Sequence, residues 1–137
     1  MDTGRSPGTG AKSANVRYVE RAELEAVEID DSVRIGQVEI RPGELQVLVD
    51  GRRVNLTVRE FELFWALAQR PDHVVRRAEL YHHVWGGVMM PRDRSVDVFV
   101  RKLRRKLAVA SPGWTYIHTH FGIGYRFAPE QIDPAGF

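Results

Sequence analysis

Arg94-Ser95-Val96-Asp97-Val98-Phe99-Val100-Arg101-Lys102-Leu103-Arg104-Arg105-Lys106-Leu107 is the stretch on which the reading of this chain turns. Advanced by about 100° per residue from Val96, the residues Val96, Phe99, Val100, Leu103 and Leu107 fall within about 60° of one direction. Arg94, Asp97, Val98, Arg101, Lys102 and Arg105 fall on the other side. Seven bases and two acids lie between Arg92 and Lys106. The pattern predicts a helix from Ser95 to about Val109, stopped by Ser111-Pro112-Gly113, with an apolar back and a cationic front. Such a helix fits a DNA major groove, where guanidinium groups bridge phosphates or grip guanine O6 and N7 and Val98 meets a thymine methyl. A solvated surface helix or one lying on an anionic membrane has the same pattern, so its neighbours decide.

After this helix, Tyr116–Thr119 and Tyr125–Phe127 read as short strands around Phe121-Gly122-Ile123-Gly124, a hairpin with a tight glycine tip. Before it, Arg77–Trp85 reads as a short helix stopped by Gly86-Gly87, with Leu80 and Val84 inward, and Val88–Asp93 as a loop. His73–Val75 is long enough only for a bridging strand. Thr57-Val58-Arg59-Glu60 is a capping box that opens a further helix to about Gln69, with Pro71 beyond its end. Phe61, Phe64, Trp65 and Ala68 give that helix one apolar face, and Leu63 and Leu67 line the other, so it is expected to be buried on two sides.

Upstream the period changes to two. Val38 and Ile40 alternate with Glu39 and Arg41, Pro42-Gly43-Glu44 is a turn, and Leu45, Val47 and Val49 resume the alternation. Asp50-Gly51 signals a tight hairpin before Val54 and Leu56. The expected fold is therefore α+β: a small N-terminal antiparallel sheet, three helices and a C-terminal hairpin. The expected divisions are a disordered, acidic extension over 1–32, a domain over 33–129 and a tail over 130–137. Within the extension, Arg17–Val27 reads as a short acidic helix.

Composition agrees. A chain of 137 residues with 43% hydrophobic content is long enough for one core. Tyr18–Asp50 holds nine acids and three bases, a net of −6, whereas Gly51–Phe137 holds fourteen bases and eight acids, a net of +6. That split offers a basic face to an anionic partner. With no cysteine, disulfides, zinc–cysteine sites and thiol chemistry are excluded, and a cytoplasmic setting is expected. The apolar runs are too short to span a bilayer, and Met1–Ala14 lacks the apolar segment of a secretory signal.

The motifs Thr57–Leu63, Arg77–Leu80 through Val84-Trp85-Gly86, Arg94–Val98 with Arg101–Leu107, and Gly122–Phe127 occur in one order that resembles the OmpR/PhoB family of winged-helix DNA-binding domains. The likeness covers roughly residues 33–129. It implies a winged helix-turn-helix with a four-stranded N-terminal sheet, a three-helix core and a hairpin wing over 116–127. It implies sequence-specific binding of double-stranded DNA and transcription regulation, with 95–107 as recognition helix and the wing near the minor groove. The residues so implicated are Arg94, Ser95, Asp97, Val98, Arg101, Lys102, Arg104, Arg105, Thr119, Phe121, Gly122 and Tyr125. The loop residues Val88, Met89, Met90 and Pro91 are implied to touch RNA polymerase, and tandem homodimers on DNA are implied.

Three departures accompany the likeness. Phe99 stands where members often have His, and Phe121 stands where the wing usually carries a basic residue before its first glycine. Members also carry an N-terminal receiver, which nothing from Met1 to Ser32 could form; the expectation is an effector domain without its receiver, either a fragment or a standalone regulator, and the Met1 start favours the latter. No nucleophile–base pair, metal cluster or paired carboxylates point to an enzyme, and no cofactor is implied. His118 and His120 share a strand face but lack a third ligand, so no metal is expected. No helix follows Gly122 and Gly124 to build a phosphate loop. Trp85 is expected in the core and Trp114 in packing, while Asp93 and Asp97, four apart, are expected on one helix among the arginines they orient. The alternative function is a winged-helix adaptor that contacts RNA polymerase with little sequence-specific DNA binding.

Overall fold

Asp50 and Gly51 both have positive φ, 51° and 77°, as the two-residue turns that match strand twist require. They join β3 (Gln46–Val49) to β4 (Arg52–Val54) in the computed structural model, which describes residues 31–133. The expected disorder before Asp31 and the short helix over 17–27 lie outside the described residues, as do residues 134–137 of the expected tail. With β1 (Val33–Ile35) and β2 (Val38–Arg41) these strands form an antiparallel sheet in the order β1-β2-β3-β4. Val38 pairs with Val49 and Ile40 with Val47, and all four are wholly buried on one face. Leu45 departs from the expected alternation. It takes the left-handed conformation (φ 54°) to close the single 3-10 turn Pro42–Glu44, which turns its side chain toward solvent and starts β3 one residue later.

Both halves of the capping box form at the start of α1 (Val58–Ala68). Thr57 Oγ1 accepts from the Glu60 N–H at 3.2 Å, and Glu60 Oε1 accepts from the Thr57 N–H at 2.9 Å. Phe61, Leu63, Phe64 and Leu67 are buried, and α1 packs against α2 (Arg77–Trp85), α3 (Ser95–Ala110) and β7 (Gly124–Gln131). Burial on both sides follows, with Phe64 edge-on to Phe127 at 5.2 Å. Gly86, at φ 77°, ends α2 where the sequence places its stop.

The second sheet has the order β5-β7-β6, formed by β5 (Val74–Arg76), β6 (Trp114–His120) and β7. The hairpin strands run longer than the apolar alternation predicts, because pairing continues past an irregularity between Thr115 and Ile117 to Trp114 opposite Gln131. Gly124 is where β5, β6 and β7 meet: a Cβ there would stand 2.0 Å from the Val75 carbonyl oxygen, so only glycine lets β7 lie against β5. Tyr116 links the ends of the domain, accepting from Gln37 Nε2 at 3.0 Å and donating to Ser111 Oγ at 2.8 Å. The architecture is the winged helix-turn-helix expected: four-stranded sheet, three helices and a hairpin wing.

Candidate nucleic-acid interface

The apolar stripe of α3 buries Val96, Val100, Leu103 and Leu107. Arg94, Arg101, Lys102 and Arg105 are exposed on its front, Arg94 with 72% of its side chain open, while Ser95 and Val98 are half-buried. Phe99 sits between front and back. Its ring meets Trp85 edge-on at 5.2 Å, and the Lys102 ammonium lies 4.7 Å over it. Trp85 is only half-buried rather than central to the core; it stacks on Tyr81 at 5.4 Å and supports Phe99 from α2.

Asp97 is not a surface acid. Arg77, first residue of α2, holds its carboxylate bidentately at 3.1 and 2.8 Å, Tyr125 of β7 donates its hydroxyl at 2.6 Å, and Arg94 approaches at 3.5 Å. Burial pushes the carboxyl up, but the bonds from Arg77 and Tyr125 outweigh it and leave Asp97 below the ordinary carboxylate range. The same bond holds Arg77 above its usual value. Burial first, and then the bond to Asp97, push the Tyr125 phenol up to about 12. One carboxylate thus ties α2, α3 and the wing together. Asp93 is not its helical companion: it precedes α3 and accepts from the Ser95 N–H at 2.8 Å, satisfying an otherwise unpaired donor of the first turn. Hydrogen bonds from Ser95 hold its carboxyl below the ordinary value.

Arg104, among the expected contact residues, faces the wing. Its guanidinium donates to the Ile117 carbonyl at 3.1 and 2.9 Å and to Thr119 Oγ1 at 2.6 Å, and lies over the Tyr125 ring at 5.6 Å. Burial depresses its pKa, in keeping with an internal cation. Arg104, Thr119 and Tyr125 are thereby brought together as the hinge between α3 and the wing. Farther back, Lys106 pairs with the buried Glu60 at 2.6 Å, so α3 is also tied to the cap of α1.

At the wing tip Phe121 is 91% exposed, and Gly122 follows at φ 76°, closing the turn. Below the tip, Arg126 donates to His120 Nε2 at 3.1 Å and to Asp72 at 2.6 Å, and His118 Nε2 meets the Ala128 carbonyl at 2.8 Å. Each imidazole therefore has a protein partner. In the loop between α2 and α3, Val88 and Met90 are exposed, but Met89 packs back onto the core, so the two methionines are not equivalent. Among the described residues no helix is long and apolar enough to cross a membrane.

The family described as "Transcriptional regulatory protein, C terminal" matches residues 51–127. The RstA DNA-binding domain of Klebsiella pneumoniae, solved in complex with the RstA box, superposes with a TM-score of 0.66 at 32% identity, covering 73% of this chain and 99% of that one. The DNA-binding domain of CpxR from E. coli gives 0.64 at 32% identity, covering 70% and 94%. The cell cycle transcriptional regulator CtrA of Caulobacter vibrioides is 32% identical over 105 residues, 75% of this chain and 46% of that protein. The uncharacterized transcriptional regulatory protein YclJ of Bacillus subtilis is 36% identical over 108 residues, 78% and 47%. The chain spans about half the length of the curated relatives it matches.

Proposed function

This chain belongs to the family of transcriptional regulatory protein C-terminal domains, the winged-helix domains of OmpR/PhoB type, and from that premise we propose that it binds specific sequences in double-stranded DNA and regulates transcription. That family is one of transcriptional regulators, not an enzyme class. The observation that carries the reading is the division of α3 into a buried back and an open front of Arg94, Arg101, Lys102 and Arg105. Entering a major groove, that front meets phosphates and base edges, with Val98 and Ser95 beside it. Asp97, Arg104, Thr119 and Tyr125 serve the same surface by setting the angle of wing to helix. Phe121 and Gly122 then reach toward the neighbouring minor groove.

The exposed Val88, Met90 and Pro91 suit a contact with RNA polymerase, because an adaptable apolar loop next to bound DNA is open to a second protein. Tandem occupancy by two copies on a repeated site, in the cytoplasm, completes the reading. The test is selection of bound duplexes from random DNA, followed by affinity measurements at several salt concentrations. A recurring sequence is expected, with log affinity falling by about 0.9 per log unit of salt for each neutralised phosphate. Salt-indifferent binding with no enriched sequence would defeat the proposal.

A further inference from the structure

A second cationic surface lies at the far end of α3. Arg52, Arg53, Val54 and Asn55 of the β4 segment face Arg105, Lys106, Val109 and Ala110 across a groove of about 500 Å³. A second depression of about 410 Å³ adjoins it, sharing Arg52 and Ala110 and ending at Trp114. The floor of the first groove is mainly apolar, and Val109 is 78% exposed beside it. Four cations rim it. Lys106 has Glu60 as its partner, whereas Arg52, Arg53 and Arg105 stand exposed on both banks, with no carboxylate contact among the described residues. Among the described residues Asp50 is the one acid lining either depression. At about 1.5 Å rise per residue, Val109 lies roughly 20 Å along α3 from Ser95, well away from the helix end that carries Arg94.

We propose that this groove binds a short acidic peptide segment of another protein, one that alternates carboxylates with apolar side chains. Apolar residues would cover Val109, Ala110 and the Trp114 edge, while carboxylates would meet Arg52 and Arg53, with Arg105 at the border shared with the DNA-facing front of α3. Arginine suits this, since its fork grips a carboxylate through two parallel bonds. The described sheet of a second copy fits less well: there Glu39 is held by Arg34 and Arg41, and Glu44 lies 3.8 Å from Arg41. Bare DNA backbone would satisfy the cations but leave the apolar floor without a partner.

The probe is an acetylated peptide of alternating glutamate and leucine, titrated into the full chain while backbone amide and indole resonances are followed. A lysine–leucine peptide is the control. Shifts confined to Arg52–Asn55, Val109, Ala110 and Trp114 are expected, with no binding of the control. Arg52→Ser combined with Arg53→Ser should weaken the acidic peptide at least about tenfold, a change of about 1.4 kcal/mol, and leave DNA affinity and its salt slope unchanged. Both positions are exposed strand residues, so the variant keeps the fold. Absence of shifts in the groove, or equal binding of the control, overturns the proposal. So does a double variant that loses DNA affinity and lowers the salt slope by about one per arginine, which would make the groove part of the DNA interface. The peptide measurement needs no DNA, so failure of the DNA-binding reading would be seen separately in the wild-type chain.

Discussion

Tyr125 of the wing donates its hydroxyl to Asp97 of α3 at 2.6 Å, across a separation of 28 residues. Asp97 is also the bidentate acceptor for Arg77 at the head of α2. The helix that would enter DNA, the helix before it and the wing therefore share one carboxylate. In the proposed DNA complex helix and wing enter neighbouring grooves, and this contact, which contributes about 1.5–3 kcal/mol net to stability, would set their relative angle.

Burial of the phenol, together with that contact, sets a pH dependence. The Tyr125 phenol is raised to about 12 in the folded chain, from about 10 when unfolded. A raised pKa contributes stability that is complete below the unfolded value and is lost as pH rises through the folded one. Wild-type stability should therefore fall between about pH 10 and 12, and Tyr125→Phe should flatten this decline while lowering stability at neutral pH by about 1.5–3 kcal/mol. Denaturant titrations across that range, with phenolate absorbance as a second readout, test it. An unaltered alkaline limb in the variant would mean that Tyr125 titrates like a free phenol.

Asp97 works in the opposite direction. Its pKa is depressed, so its contribution is present above about pH 4, the unfolded value, and is lost as pH falls through the lower folded value. Asp97→Asn should remove part of the acid-side slope. It should also weaken DNA binding more than stability, because Arg77 and Tyr125 lose the group that orients them. Differential scanning calorimetry beside a gel shift separates the effects, and parallel losses in both would reduce Asp97 to a structural residue.

Much of this surface was legible in the sequence, and the part that was not has a geometric cause. Periodicity reports which side of its own helix a residue occupies. It predicted the buried stripe Val96–Leu107 and the open cations Arg101, Lys102 and Arg105, and the capping box at Thr57 was readable because its partners are three residues apart. Periodicity cannot report what another element lays over a helix flank. Asp97 and Arg104 lie about 80–100° from the centre of the buried stripe, and that flank is covered by Arg77 and by the wing. Asp97, from its place on the wheel, and Arg104, through the family resemblance, were both expected at the DNA surface, whereas their side chains have internal partners. Leu45 and Met89 were missed for a related reason: a left-handed residue ends one turn, and a loop folds back onto the core.

Arg101→Ala and Lys102→Ala should impair DNA binding while leaving unfolding midpoints unchanged, since both side chains are exposed. A residue that reads a base should cost about 1–3 kcal/mol and relax specificity at one position, and one that grips phosphate should lower affinity uniformly. Lys102 also covers the Phe99 ring, so its variant should perturb the aromatic resonances of Phe99 and Trp85. Full affinity in both variants would mean that DNA meets another face.

Met90→Ser should spare DNA binding and reduce activated transcription in vitro, because Met90 is exposed in the loop between α2 and α3. Met89→Ser removes a side chain packed on the core and should instead lower stability, by about 1–3 kcal/mol. Equal loss of DNA binding and transcription in the Met90 variant would leave the loop no separate role.

The wing tip offers the sharpest test, because there the chain departs from the family pattern at a fully open position. Phe121 is 91% exposed and the next residue, Gly122, makes the turn at φ 76°. A basic side chain at this place would gain from the negative potential of a narrow minor groove, which phenylalanine cannot use. Wedging the ring between base steps would cost a few kcal/mol per unstacked step, and a two-stranded tip gives such a wedge little support. Phe121→Arg should therefore strengthen DNA binding, steepen its salt dependence and shift preference toward A·T-rich flanks, with the unfolding midpoint unchanged. The measurement is a salt series on duplexes that differ only in their flanks. A folded variant that binds more weakly would assign Phe121 an apolar contact with DNA or with a neighbouring protomer. A variant that unfolds would contradict the exposure of the ring, because an unpacked side chain contributes almost nothing to the core.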